Sequence, residues 1–113
     1  MEFQVVELDA DTNCIVLTGR LDAQGASAIE LPFTATMKGT DRHALVDMSD
    51  VSFVASLGMR MLFAVARVVQ RKGRRMVLFG AQPSVLEVFE TVAMDKVIPL
   101  AADRDQALAM VQT

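Results

Sequence analysis

The chain has 113 residues, of which 52% are hydrophobic and 22% charged, and its formal net charge is −3. That length fits one domain spanning residues 1–113, and the apolar content suffices for a core without disulfides or metal. The weak negative charge excludes a general attraction to nucleic acid or membrane, and the composition excludes intrinsic disorder.

Residues 3–8 (FQVVEL) and 14–19 (CIVLTG) read as two short strands of a hairpin, because β-branched residues flank a polar Asp/Thr/Asn turn. Cys14 is the one cysteine, lies in an apolar run and is expected to be buried; alone it cannot close an intramolecular disulfide. Gly19 ends the second strand. Residues 22 to about 38 then read as a helix with Asp22 as N-cap, since Ala26, Ile29, Phe33 and Met37 recur at three- and four-residue steps. Pro32 is expected to kink that helix or break it in two.

Residues 43–48 (HALVDM) form the next strand, apolar enough for a central position covered on both faces. A polar loop follows and delivers Ser56 to a helix that runs to about residue 72, where Gly73 is placed to end it in a left-handed cap. Residues 75–80 (RMVLFG) read as a buried strand. Residues 83 to about 92 read as a short helix with Pro83 in its first turn and Gln82 or Ser84 at its entrance. Residues 97–100 (VIPL) are a weak strand, and residues 103–111 a final amphipathic helix. A hairpin followed by alternating strands and helices predicts an α/β fold with a mixed, mainly parallel sheet and about four helices.

The chain is poor in catalytic material. One His43, one cysteine and no tyrosine or tryptophan leave little for a metal site or a catalytic triad, and a Ser56 and His43 dyad needs the fold to bring the two together. The six glycines form no phosphate loop, and the acidic residues are scattered. The expectation is a protein that is not an enzyme and takes no cofactor. The cluster Arg71, Lys72, Arg74 and Arg75 lies at a helix end, where cations oppose the dipole favourably; without aromatic neighbours it does not read as a nucleic-acid surface. No apolar run is long enough to span a bilayer and no leader pattern opens the chain, so no membrane insertion and a cytoplasmic setting are expected.

Ser56 is the candidate site. A hydroxyl at a helix entrance can cap free backbone donors, and it can carry a phosphate where the dipole favours negative charge. Along the helix that follows, Met61, Leu62, Val65, Val68 and Val69 share the expected core face. Arg60, Arg67 and Arg71 align on another side, flanked by Met59, Phe63 and Gln70, with Ser56 at the border of the two rows. Apolar anchors beside arginines suit a modest protein interface.

These segments resemble the STAS domain family, in particular the anti-sigma factor antagonists that act in partner switching. The likeness covers nearly the whole chain and is carried by GRLDA (residues 19–23), LVDMSDVSFVASLG (45–58) and MVLFG (76–80). It implies that Ser56 accepts phosphate from an anti-sigma factor that is also a serine-protein kinase, and that a PP2C-type phosphatase removes it. It also implies a partner surface comprising Asp22, Val54, Ala55, Ser56, Leu57, Gly58, Met59, Arg60, Phe63 and Arg67. Two positions depart from the family's pattern: Ala55 stands where an aspartate is common, and Leu57 where serine or threonine is common. Asp47, Ser49 and Ser52 match the pattern and are expected to shape the turn by local hydrogen bonds. A constitutive STAS subunit of a transporter or sensory complex is the alternative, and a nucleotide- or anion-binding domain a third; a homodimer is left open.

Overall fold

The computed structural model describes residues 1–112. In chain order these form β1 (Glu2–Asp9), β2 (Thr12–Leu21), α1 (Ala23–Lys38), β3 (His43–Val54), α2 (Ser56–Arg71), β4 (Met76–Phe79), α3 (Pro83–Thr91), a 3₁₀ turn (Met94–Lys96), β5 (Leu100–Ala101) and α4 (Arg104–Val111). The strands lie in one sheet in the order β1-β2-β3-β4-β5, with β1 antiparallel to β2 and the other pairs parallel. This is the mixed, mainly parallel α/β sheet expected from the sequence.

The hairpin turn is held by Asp9, whose Oδ1 accepts from the amide of Asp11 at 2.8 Å. Alternation along the central strands divides the core into two layers. Ile15, Leu17, Val46, Met48 and Leu78 face α1, α2 and α3. Cys14, Leu45, Val77 and Phe79 face α4, which contributes Ala107 and Val111. The predicted core face of α1 is fully buried at Ala26, Ile29, Phe33 and Met37.

Four expectations are corrected. Of the two outcomes expected at Pro32, the break does not occur: the residue lies inside one continuous 16-residue helix. Pro32 and Ala28, whose carbonyl loses its partner, are both solvent-exposed, so water can satisfy that group while Ile29 and Phe33 hold the helix to the core. Strand β3 extends to Val54, through residues read as a polar loop. Residues 50–54 pair with the end of β2 across two register shifts, and Val51 and Val54 turn inward. The last strand is displaced to Leu100–Ala101 because Val97 and Ile98 are drawn into the preceding turn by amide bonds to the Met94 carbonyl, at 3.0 and 2.9 Å. On α2, Ala66 replaces Val68 in the fully buried set.

The N-terminal end of the parallel sheet is closed by cations. Lys72 Nζ donates to the carbonyls of Met37, Lys38 and Thr40, satisfying the C-terminal end of α1, and Gly73 follows in the left-handed conformation expected of a helix stop (φ 74°). Arg42 meets Glu7 and the buried Asn13, each at 3.1 Å, and Arg74 meets Asp41 at 3.2 Å.

His43 sits in this network. Its Nδ1 accepts from the Arg75 amide at 3.0 Å, and burial together with the charge of Arg74 holds its pKa below the ordinary value, with Asp11 opposing. The unfolded chain therefore takes up the proton first. The stability contributed by the neutral ring is complete above the unfolded value of about 6.5 and is lost as pH falls through the lower folded value. Urea unfolding between about pH 7.5 and 5 is expected to show that loss in the native chain, and a flatter profile in His43→Gln.

Candidate functional site

The C-terminal end of β2 and the connection from β3 to α2 place Ser56. The Ala55 amide donates to the Leu21 carbonyl at 3.0 Å, which ties the start of α2 to the end of β2. Gly58, in the first turn of α2, lies so close to this segment that a Cβ there would collide with the Leu21 carbonyl oxygen and, at 2.7 Å, with Leu21 Cγ. Gly25 makes the same approach at the start of α1, against the Arg20 carbonyl oxygen. Both helices thus begin by packing backbone on backbone against two consecutive residues of one strand.

The cap of α2 is bare. Ala55 is the N-cap, with extended backbone and no side-chain hydrogen bond, whereas Asp22 caps α1 through Gly25 and Asp103 caps α4 through Gln106, each at 2.8 Å. Ser56 is one position too late to cap, and its exposed hydroxyl makes no hydrogen bond among the described residues. The capping role open to it from sequence is therefore not taken up. The bond from the Gly25 amide, with lesser help from Arg20 at 3.5 Å, holds the Asp22 carboxyl below its usual pKa.

Beside Ser56 runs an open groove of about 460 Å³, lined by Ser56, Met59, Arg60, Phe63, Ala64, Arg67 and Val92. Five of the residues singled out from sequence therefore meet on one concavity. Met59 and Phe63 are half-buried against the core and show their remaining surface in the groove. Leu57 is 48% exposed beside it. Val54 and Gly58 are buried beneath the surface, where they hold the loop in place.

Two residues that sequence reasoning passed over belong to the same end of the molecule. The guanidinium of Arg20 lies 4.4 Å from the ring centroid of Phe53, which is 40% exposed. They are cross-strand partners in the β2 and β3 register, a pairing that no local pattern reveals. Asp47 Oδ1 accepts from both the amide and the hydroxyl of Ser49, at 2.9 and 2.7 Å, so these two positions do shape the chain locally.

The arrangement offers little for catalysis. His43 begins β3 and Ser56 follows its far end, so the two cannot form a dyad. Among the described residues no group of three or more His, Cys, Asp or Glu side chains is placed to hold a metal. Cys14 is buried, and burial pushes its thiol pKa up, with Asp47 adding to the effect. No helix among the described residues is long and apolar enough to cross a membrane.

Residues 4–107 match the STAS domain, and the chain belongs to that family. Among its relatives is a candidate anti-sigma factor antagonist, BtrV of Bordetella bronchiseptica, 27% identical over 97 residues that cover 86% of this chain and 84% of BtrV. Among solved structures, an anti-sigma factor antagonist from Mycobacterium paratuberculosis superposes with a TM-score of 0.87 at 21% identity, covering 99% of this chain and 94% of that one. The anti-sigma factor antagonist SpoIIAA in its unphosphorylated form gives 0.79 at 20% identity over 98% and 96%. The phosphorylated form, from Bacillus, gives 0.71 at 21% identity over 97% and 99%.

Because Gly58 is fixed by a backbone contact, Gly58→Ala is expected to lower unfolding stability by about 2–3 kcal/mol. Gly39→Ala serves as the control: its Cβ would meet the Ala35 and Thr36 carbonyl oxygens at 3.4 and 3.8 Å, without a collision, and its urea midpoint is expected to stay close to that of the native chain.

Proposed function

We propose that this chain is a partner-switching regulator of the anti-sigma factor antagonist type, without catalytic activity of its own. In this reading it binds an anti-sigma factor that is also a serine-protein kinase, which phosphorylates Ser56, and a PP2C-type phosphatase reverses the modification. The observation that carries the reading is the setting of Ser56: an exposed hydroxyl with no role in the fold, at the start of a helix and on the rim of a groove lined by arginines and apolar side chains. The antagonist assignment of the BtrV relative supports it.

The contact surface then consists of the exposed and half-exposed members of the predicted set: Asp22, Ala55, Ser56, Leu57, Met59, Arg60, Phe63 and Arg67. A phosphate adds roughly −1.5 to −2 charges at that rim. It lies near the positive end of the α2 dipole, so the fold tolerates it while a partner fitted to the uncharged surface does not.

Affinity capture of the chain from its host, with mass spectrometry of the co-purified proteins and of Ser56, tests both halves of the reading. An ATP-binding anti-sigma factor in the eluate and phosphate on Ser56 are the expected result. Unmodified Ser56 held by transporter or sensory-complex subunits would replace the switch with a constitutive interface. In a binding assay with the captured partner, Ser56→Ala is expected to bind like the native chain and to resist phosphorylation, and Ser56→Asp to bind at least about tenfold more weakly.

A further inference from the structure

Helix α2 carries Arg60, Arg67 and Arg71 and not one acidic residue along its 16 positions, in a chain whose net charge is negative. Five other cations are engaged: Arg20 with Asp22 and Phe53, Arg42 with Glu7, Arg74 with Asp41, Arg75 with the Met110 carbonyl, and Lys72 with the end of α1; Lys38, Arg71, Lys96 and Arg104 make no ion pair or side-chain hydrogen bond among the described residues. Arg60 and Arg67 are exposed and take part in no ion pair or side-chain hydrogen bond among the described residues. Arg60 lies near the N-terminal end of α2, where the dipole disfavours a positive charge.

Their spacing is informative. Seven residues apart on one helix, they project from the same side about 10 Å from each other. The groove they share has Met59, Phe63 and Val92 in its wall. The complement of two cations bordering apolar surface is a segment with two carboxylates about 10 Å apart and bulky aliphatic groups between them. A helix with acidic residues seven positions apart supplies this on one face. An extended strand does not, because residues three apart span about that distance yet point to opposite sides.

We propose that the α2 groove docks an acidic amphipathic helix of the partner, whose two carboxylates meet Arg60 and Arg67 while its apolar residues seat on Met59, Phe63 and Val92. The proposal rests on the partner-binding reading of this face and names the chemistry that the partner must present. It also assigns Arg60 a second role: a phosphate on Ser56, one helical turn away, competes for the guanidinium that the partner's first carboxylate needs.

The test is an NMR titration of the ¹⁵N-labelled full chain with a helical probe peptide carrying two glutamates seven residues apart and leucines on the same face between them. A matched peptide with lysines in place of the glutamates is titrated alongside. Saturable shifts centred on Met59, Arg60, Phe63 and Arg67 are expected with the acidic probe only. Arg67→Glu, an exposed change that leaves the core untouched, is expected to weaken the acidic probe about tenfold and to gain affinity for the lysine probe. Equal binding of both probes, shifts away from this groove, or no shifts at millimolar acidic probe would overturn the proposal. Neither phosphate nor an anti-sigma factor enters the titration. A negative result therefore leaves the phosphorylation reading intact, and an unmodified Ser56 in the host leaves the dock intact.

Discussion

The close approach of two helix starts to the last residues of β2 is the constraint on which the site depends. The carbonyls of Arg20 and Leu21 lie where a Cβ of Gly25 or Gly58 would otherwise stand, and the Leu21 carbonyl also accepts from the Ala55 amide. Because α1 and α2 are both seated on one dipeptide, their relative position follows from a single strand end, and the Leu21 side chain is completely buried between them and the sheet. Backbone contact leaves no flexible side chain to absorb a change. Asp22 and Ser56 stand at the starts of these two helices, so the rim of the site inherits the rigidity of the sheet.

The two ends of the sheet divide the electrostatic work. At the N-terminal end of the parallel strands Lys72, Arg42, Arg74 and Arg75 are bound, to carbonyls at the ends of α1 and α4 or to carboxylates of neighbouring segments. Exposed ion pairs add little individually, but a lysine that satisfies two carbonyls of the last turn of α1 and a third just beyond it replaces hydrogen bonds the helix cannot make for itself. At the opposite end α2 lacks a side-chain cap, and Arg60 in its second turn makes no ion pair or side-chain hydrogen bond among the described residues.

Much of this was legible in the sequence, and what was not has a physical pattern. Helices α1 and α4 were readable because each opens with an aspartate that caps it, and α2 because its apolar stripe is strong and Gly73 stops it. Ser56, Arg60, Arg67, Met59 and Phe63 could be grouped because helical spacing alone places them side by side. Three of the misses depend on partners distant in the chain. The extension of β3 comes from β2, the contact between Arg20 and Phe53 from the parallel register, and the need for Gly58 from a carbonyl 37 positions earlier. Pro32 failed as a helix breaker because its cost is small on the solvent side of a helix anchored by Ile29 and Phe33.

These two properties, a rigid seat and an unengaged hydroxyl, limit how Ser56 can act. A group added to it breaks no hydrogen bond that the fold makes, and the residues on either side are held by contacts that do not involve its side chain. An order-to-disorder switch needs a segment whose contacts the modification creates or destroys, and none is present at this position. The remaining lever is the surface itself, its charge beside Arg60 and its shape beside Met59 and Phe63. Under the proposed function, a phosphate on Ser56 would therefore change what the molecule can bind and leave its fold as it is, and the discriminating element would reside in the partner's complementary face.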